Sequence, residues 1–600
     1  MIRKTINNAL MFFPLFALLV PNNKLLFIIF SFCFIIFCLR FNFNFEKNRI
    51  NRNFLTYCSI FLCLFFRVFC LRWKNGIPIF DLLIVNLGVH REYTILLLGI
   101  VCALFSIPCL SCVLRLLDDT KQVGNDKNRI TKTDYLLIII ISLFIASFDE
   151  VRPFSIQNIN VDSAVFYYIG KSMTVGKIPY VDLFDHKGIL LYLIQYVAAL
   201  ISGGSLFGIW LTNLIAIFLS FILFVKIYRL FSTNNEKMYI TLILLSITFV
   251  FGLEYHDISN LSEVYALPAI AFATFVFIKF LKYHDFSSES IIALGCSFTY
   301  VFFLRSNMVG VWLVYIPIVV ITLIKKGQYK DLLKCTMLFF VGIVLVLLPL
   351  MAYFVWSNSL KDMIDYYFLY NFQYTQDSGG LLSVIRTAWV LNNKILVPYL
   401  VLYNIIERKR TDSVFCFNLI CYLVCLYIAC MSGRMYPHYL VVLFPFIEIF
   451  LINFVECCDL SVSNKKTSYL IAVLIVVSAL CYKPLVKTQH YVDDVERFII
   501  ENTDKNDDVF ITGNHCKYYI NTDRKTENKY FYSAAIKNDE MEESFIKEFE
   551  KNMPDFIICT KSKQYRQRIP GNQGSIYRFF DTLKDYKCLE YEQYYVYIRE

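Results

Sequence analysis

The sequence predicts an α-helical polytopic membrane protein that ends in a small α/β domain. Three observations carry the prediction. Of 600 residues, 57% are apolar, 17% aromatic and 18% charged, with a mean hydropathy of +0.53, far from the composition of soluble domains. Apolar runs of bilayer-spanning length recur through residues 1–484. After Lys483-Pro484 the composition shifts to frequent Asp, Glu, Lys and Tyr.

The elements follow from the placement of basic residues. Arg3 and Lys4 precede a first short run, about 8–21, which lacks a small-residue cleavage site and is expected to be retained. A second run, about 24–41, leads to Lys47, Arg49 and Arg52; both basic groups belong in the cytoplasm. Runs near 54–71 and 94–117 lead to Lys121, Lys127, Arg129 and Lys132, inward again. The run at 134–148 then exits, and places residues 149–205 outside, with 188–203 as a juxtamembrane helix. The same reasoning turns Lys226 and Arg229, Lys279 and Lys282, Lys325 and Lys326, residues 407–410, and Lys465-Lys466 inward. It turns 254–262, 303–309, 357–385, 432–438 and everything after about 485 outward.

About fifteen spans result. About four form an N-terminal module, residues 1–133, and about eleven a core, residues 134–484. Residues 485–600 are the extracytoplasmic domain. Short β-like runs at 508–512, 556–559 and 594–598 alternate there with helix-like acidic stretches at 492–502 and 540–551.

The net charge of +10 sits mainly in short loops, where it orients helices. No basic stripe with stacking aromatics points to nucleic acid. Most of the 20 cysteines lie in apolar runs (Cys33, Cys38, Cys58, Cys63, Cys421, Cys425) and act as small hydrophobes. No His/Cys cluster has metal-site spacing.

The chemistry concentrates in residues 162–188, which set Asp162, Asp182, Asp185, His186 and Lys187 beside a membrane, among Tyr180, Gly170, Gly176 and Gly188. Charge at a bilayer boundary is costly and usually faces a protein-lined cavity with a task. A carboxylate can take a proton from a hydroxyl, and lysine and histidine can hold a phosphate oxygen. Taken alone, Asp162-Ser163 also reads as a helix start.

Asp162-Ser163-x-x-Phe166 and His186-Lys187-Gly188-Ile189-Leu190 resemble two elements of the GT-C superfamily, integral-membrane glycosyltransferases of the protein O-mannosyltransferase and lipid A aminoarabinose transferase type. The first is an acidic residue early in the first outward loop. The second is a Lys-Pro-Pro-like element, with Gly-Ile here where many members have Pro-Pro. Asn260-Leu261-Ser262-Glu263 resembles the family's Asn/Thr/Glu element, and alternatively is a polar helix start. Arg305 puts a cation at the outer face, and alternatively snorkels. Gly433-Arg434-Met435-Tyr436-Pro437-His438-Tyr439 resembles a late Gly/Arg…His-Tyr element. Glu448, inside an apolar run, reads as the partner of a basic side chain or as a groove-lining residue. The resemblance covers about residues 134–484; Arg67 and Arg72 lie before it and read as snorkelling.

The resemblance implies a glycosyltransferase in the cytoplasmic membrane, working on the extracytoplasmic face with a polyprenyl-phosphate-linked sugar. Its acceptor would be a glycan, lipid or protein. Asp162 would be the general base. Lys187 and His186, with Arg305, Arg434 or His438, would stabilise the departing phosphate. Asp182 and Asp185 would orient the sugar or hold a divalent ion, and Tyr180 and Glu263 would line the substrate site. No cofactor follows from the sequence, and a divalent metal stays open. The other readings are a lipid-linked saccharide flippase or transporter, and a polysaccharide polymerase or ligase of another membrane fold. Transport sites sit near the midplane, whereas the polar residues here gather in outward loops.

Overall fold

A computed structural model describes residues 130–152, 159–203, 205–253, 259–284, 287–371, 383–388, single positions between 391 and 404, 413–431, 436–457, 493–533, 536, 539–560, 579–580 and 582–600. The expected N-terminal spans and Arg434 lie outside the described residues.

The helical part runs through α1 (Lys132–Ala146), α2 (Val161–Met173), α3 (Ile189–Ser202), α4 (Phe207–Phe231), α5 (Asn235–Ile247) and α6 (Ser262–Tyr283). It continues with α7 (Ser288–Leu304), α8 (Gly310–Lys325), α9 (Tyr329–Trp356), α10 (Ser413–Cys430) and α11 (Phe444–Cys457). Among the described residues, four stretches are long and apolar enough to cross a bilayer: Phe207–Phe231, Ser262–Tyr283, Tyr329–Trp356 and Pro437–Glu456. Ile189–Ser202, Ser288–Leu304, Gly310–Lys325 and Val414–Cys430 are shorter apolar helices.

Polar pairs pin one end of the bundle. Thr131 and Asp134 cap α1 reciprocally, at 3.2 and 2.9 Å. The buried Asp134 carboxylate also takes Arg229 Nη2 of α4 at 3.1 Å and the Tyr239 hydroxyl of α5 at 3.2 Å. Lys237 of α5 meets Glu456 of α11 at 3.0 Å, and the Tyr228 hydroxyl donates to the same carboxylate at 3.1 Å. These residues belong to the end the charge pattern assigns inward.

Close backbone contact pins the rest. A Cβ on Gly295 of α7 would strike the Phe339 carbonyl of α9, and one on Gly342 of α9 would strike the Ile292 carbonyl of α7. Two glycines facing each other let the helices touch, as small residues do in membrane bundles. On its far side α9 exposes Leu333, Met337, Val344, Leu348 and Val355 at helical spacing, a stripe suited to lipid.

The C-terminal domain has α12 (Asp494–Asn502), β1 (Val509–Ile511), α13 (Lys517–Thr522), α14 (Asp539–Lys551), β2 (Phe556–Thr560), β3 (Tyr586–Glu590) and β4 (Tyr594–Arg599). The sheet order is β1-β2-β4-β3, with β1 and β2 parallel and the other pairs antiparallel. Phe510 of β1 packs against Phe545, Phe549 and Phe580 with ring centroids 5.6, 5.4 and 6.2 Å away. The expected β-like runs become β1, β2 and β4; β3 is added by an exposed, charged strand, Tyr586-Lys587-Cys588-Leu589-Glu590, whose composition hides it.

Candidate functional site

The segments expected on one side converge at the other end of the bundle. Asn260, buried and left-handed at φ 61°, holds them together. Its Oδ1 accepts from Gln195 Nε2 at 2.7 Å and the Tyr265 hydroxyl at 2.6 Å, and its Nδ2 donates to Ser163 Oγ at 2.5 Å. Its amide donates to Asn213 Oδ1 at 3.2 Å, and Asn213 Nδ2 donates to Asp149 at 2.8 Å. This network fixes the start of α2, where Asn160 caps the Asp162 amide at 3.3 Å. Asp162 itself stays exposed in the first turn.

The chain leaves α2 through Gly176, φ 91°, and reverses at Tyr180, φ 71°. Asp182 closes that turn: its carboxylate accepts from the Ile178 amide at 2.6 Å and its own amide donates to Ile178 O at 2.9 Å. Tyr180 is fully buried, and its hydroxyl donates to Lys187 O at 2.6 Å. Both residues therefore shape the loop. The Gly188 amide donates to Leu304 O at 3.1 Å, and a Cβ there would strike the Phe303 carbonyl. A proline at 188 would lose this bond, which accounts for glycine at this position. Asn371 Nδ2 holds His186 O at 2.7 Å.

Asp185, 2% exposed, faces inward. Its Oδ2 accepts from the Tyr192 hydroxyl and its Oδ1 from the Tyr532 hydroxyl, both at 2.8 Å. His186 Nδ1 lies 3.1 Å from Oδ1, and His186 Nε2 lies 2.6 Å from Lys187 Nζ. A relay runs Asp185, His186, Lys187. Burial would raise the Asp185 carboxyl, but the hydrogen bond and charge of His186, with Lys187 and Tyr192, hold it well below the usual carboxylate range. Burial, then the Lys187 charge, lowers the His186 imidazole, and in its neutral form the Nε2 can accept from Lys187. Burial and the nearby Arg305 bring the Lys187 ammonium down to about 8.

Beside Lys187 stands a second charged group. Arg305 ion-pairs with Glu263 Oε1, and His438 Nε2 lies 3.8 Å from the same oxygen. The guanidinium sits 5.3 Å over the Tyr439 ring. The charge of Asp162 acts on Lys187, Arg305 and His438, so these groups share one electrostatic neighbourhood. The structure thus brings together Asp162, His186, Lys187, Glu263, Arg305 and His438, and turns Asp182, Asp185 and Tyr180 to loop support. Tyr192, Asn371 and Tyr532 join them without any sequence signal, because each is an ordinary polar residue made relevant by proximity.

Among the described residues no group of three or more His, Cys, Asp or Glu is placed to hold a metal ion. Both Glu448 carboxylate oxygens lack a hydrogen-bond partner among the described residues, so no basic side chain pairs with it there. An open apolar cavity of about 440 Å³ lies between α3, α6, α7 and α9, lined by Leu190, Ala269, Phe272, Cys296, Tyr300 and Val346. Leu190 is three residues from Lys187.

Two crystal structures of ArnT from Cupriavidus metallidurans share the fold. The form bound to undecaprenyl phosphate is 10% identical with a TM-score of 0.52, over 78% of this chain and 98% of that one. The apo form is 9% identical with a TM-score of 0.51, over 77% and 97%. No curated protein matches the sequence. Residues 123–470 match the family described as the putative competence-induced protein Ccs4 N-terminal domain. The chain belongs to that family, and its fold resembles that of the two ArnT structures.

Proposed function

We propose that the protein is a GT-C glycosyltransferase that moves a sugar from a polyprenyl-phosphate donor to an acceptor hydroxyl outside the cytoplasm. The observation that carries the reading is the placement of an exposed carboxylate, Asp162, in electrostatic contact with the cations Lys187 and Arg305. The apolar cavity beside Leu190 suits the prenyl chain, with the phosphate at Lys187. ArnT, which shares the fold, binds undecaprenyl phosphate.

Asp162 takes the proton from the acceptor hydroxyl as its oxygen bonds to the anomeric carbon. The bond from that carbon to the phosphate oxygen breaks, and its electron pair leaves on the polyprenyl phosphate. Lys187 and Arg305 offset the growing charge on the phosphate in this reading. His186 holds the Lys187 ammonium in direction; Glu263 restrains Arg305. The extracytoplasmic α/β domain, residues 485–600, and the core, 134–484, are working units of this reading, with the 149–205 loop carrying the site.

Transfer of labelled sugar from purified polyprenyl-phosphate donor, with membrane extracts as acceptor, tests it. Asp162→Asn is expected to keep expression and membrane insertion and to lose turnover by about a hundredfold, as for a missing general base. Wild-type turnover in that variant would remove Asp162 from the mechanism. Movement of donor across vesicles without any transfer would favour a flippase instead.

A further inference from the structure

We propose that Tyr532, carried by the C-terminal domain, is a positioning residue for the site in the 149–205 loop, acting through Asp185 and His186 on Lys187. The inference rests on the proposed transferase reading for its functional consequence, and on geometry for the contact itself.

The connection between α13 and α14 is fastened to the site loop at successive positions. Asp523 pairs with Lys171 at 2.6 Å, Glu527 pairs with Lys177, and the Thr526 amide donates to the Tyr168 hydroxyl at 3.0 Å. The Phe184 amide donates to Lys529 O at 2.9 Å, and Lys529 Nζ reaches Asp362 at 3.2 Å. Rings close the seam: Tyr168 lies 4.9 Å from Phe531, and Phe184 lies 5.4 Å from Tyr530. Exposed ion pairs contribute little each. The buried backbone bonds and aromatic contacts set the register, and the register brings the Tyr532 hydroxyl 2.8 Å from Asp185 Oδ1.

Asp185 has two phenol donors, one from each part of the protein. Tyr192, on α3, serves Oδ2; Tyr532 serves Oδ1, the oxygen that also faces His186 Nδ1. Without Tyr532 the charge on Oδ1 is shared with fewer donors and draws harder on His186. The imidazole then binds the Lys187 ammonium more strongly and releases it less readily toward a phosphate. The groups around Lys187 are Asp185, His186, Arg305, Asp162, Glu263 and His438; of these Tyr532 bonds only to Asp185. Donor binding through the apolar cavity does not involve it.

The test uses the full-length protein in lipid nanodiscs with Tyr532→Phe. Tyr518→Phe is the control: its hydroxyl donates to Asp493 at 2.7 Å within the same part of the chain, and not to Asp185. Two readouts apply. In sugar transfer, Tyr532→Phe is expected to lower kcat about tenfold with KM for the donor within about twofold, and Tyr518→Phe to change neither. In amine-reactive labelling of Lys187, quantified by mass spectrometry across pH, the midpoint is expected to move upward in Tyr532→Phe only. An unmoved midpoint, or an equal shift in Tyr518→Phe, would overturn the positioning role. Absence of transfer by the wild type would overturn the transferase reading instead, while the labelling midpoint still decides the contact between the two parts.

Discussion

Lys187 and Asp185 are neighbours in sequence with opposite environments, and that contrast sets their chemistry. Asp185 is buried among donors and keeps its charge; Lys187 is half-buried beside another cation, and its ammonium falls to about 8. A group that must be protonated to hold phosphate loses that ability as pH rises through its own pKa. Donor-concentration-limited transfer, kcat/KM, should therefore decline above about pH 8. Bound phosphate favours the ammonium form, so the decline in kcat should sit at higher pH. Arginine stays charged throughout this range. Lys187→Arg is thus expected to retain part of the turnover and to lose the alkaline decline altogether. A pH–rate profile for the two proteins checks this, and the same alkaline limb in both would assign it to another group.

At the scale of elements, contact between α7 and α9 depends on two glycines facing one another. A new Cβ at Gly342 would strike the Ile292 carbonyl and crowd Cys296 N and Gly295 Cα, all backbone atoms that cannot swing away. Gly342→Leu should push the helices apart at a cost of about 1–3 kcal/mol or more. Because α7 ends at Leu304, whose carbonyl receives the Gly188 amide, the displacement should also reach Lys187. A lower unfolding midpoint in detergent together with reduced transfer is the expected pair of results. Unchanged melting would mean that the two helices are not in contact in the membrane.

For the whole molecule, the decisive property is sidedness. The pattern of basic residues predicts that the 149–205 loop and residues 485–600 lie on the far side from the cytoplasm. The docking of the domain on Phe184 and Tyr168 ties the two regions together, so they must share a compartment. Val175, 80% exposed, and Lys547 are suitable outer positions, and Gln328, in the α8–α9 turn, an inner one. Cysteines at Val175 and Lys547 should react with an impermeant thiol reagent in intact spheroplasts, and one at Gln328 should not. Labelling at Gln328 alone would reverse the topology and remove the extracytoplasmic reading with it.

The sequence by itself determined the membrane character, the helical class and the clustering of titratable residues in one loop. Those are properties of composition and local order: apolar runs report burial in lipid, and Asp162, His186 and Lys187 lie close along the chain. The strands at 509–511, 556–560 and 594–599 were legible for the same reason, since β-branched and aromatic runs mark them locally. Only the tertiary structure decided which charged groups gather around Lys187 and Arg305 and which hold the loop. Asp182 and Asp185 look alike in sequence, yet one closes a turn on Ile178 and the other is surrounded by Tyr192, Tyr532 and His186. Tyr532 lies 347 residues from Asp185 along the chain. No local pattern encodes such a contact, because it arises from packing between segments far apart along the chain, and those surfaces meet only in the folded protein.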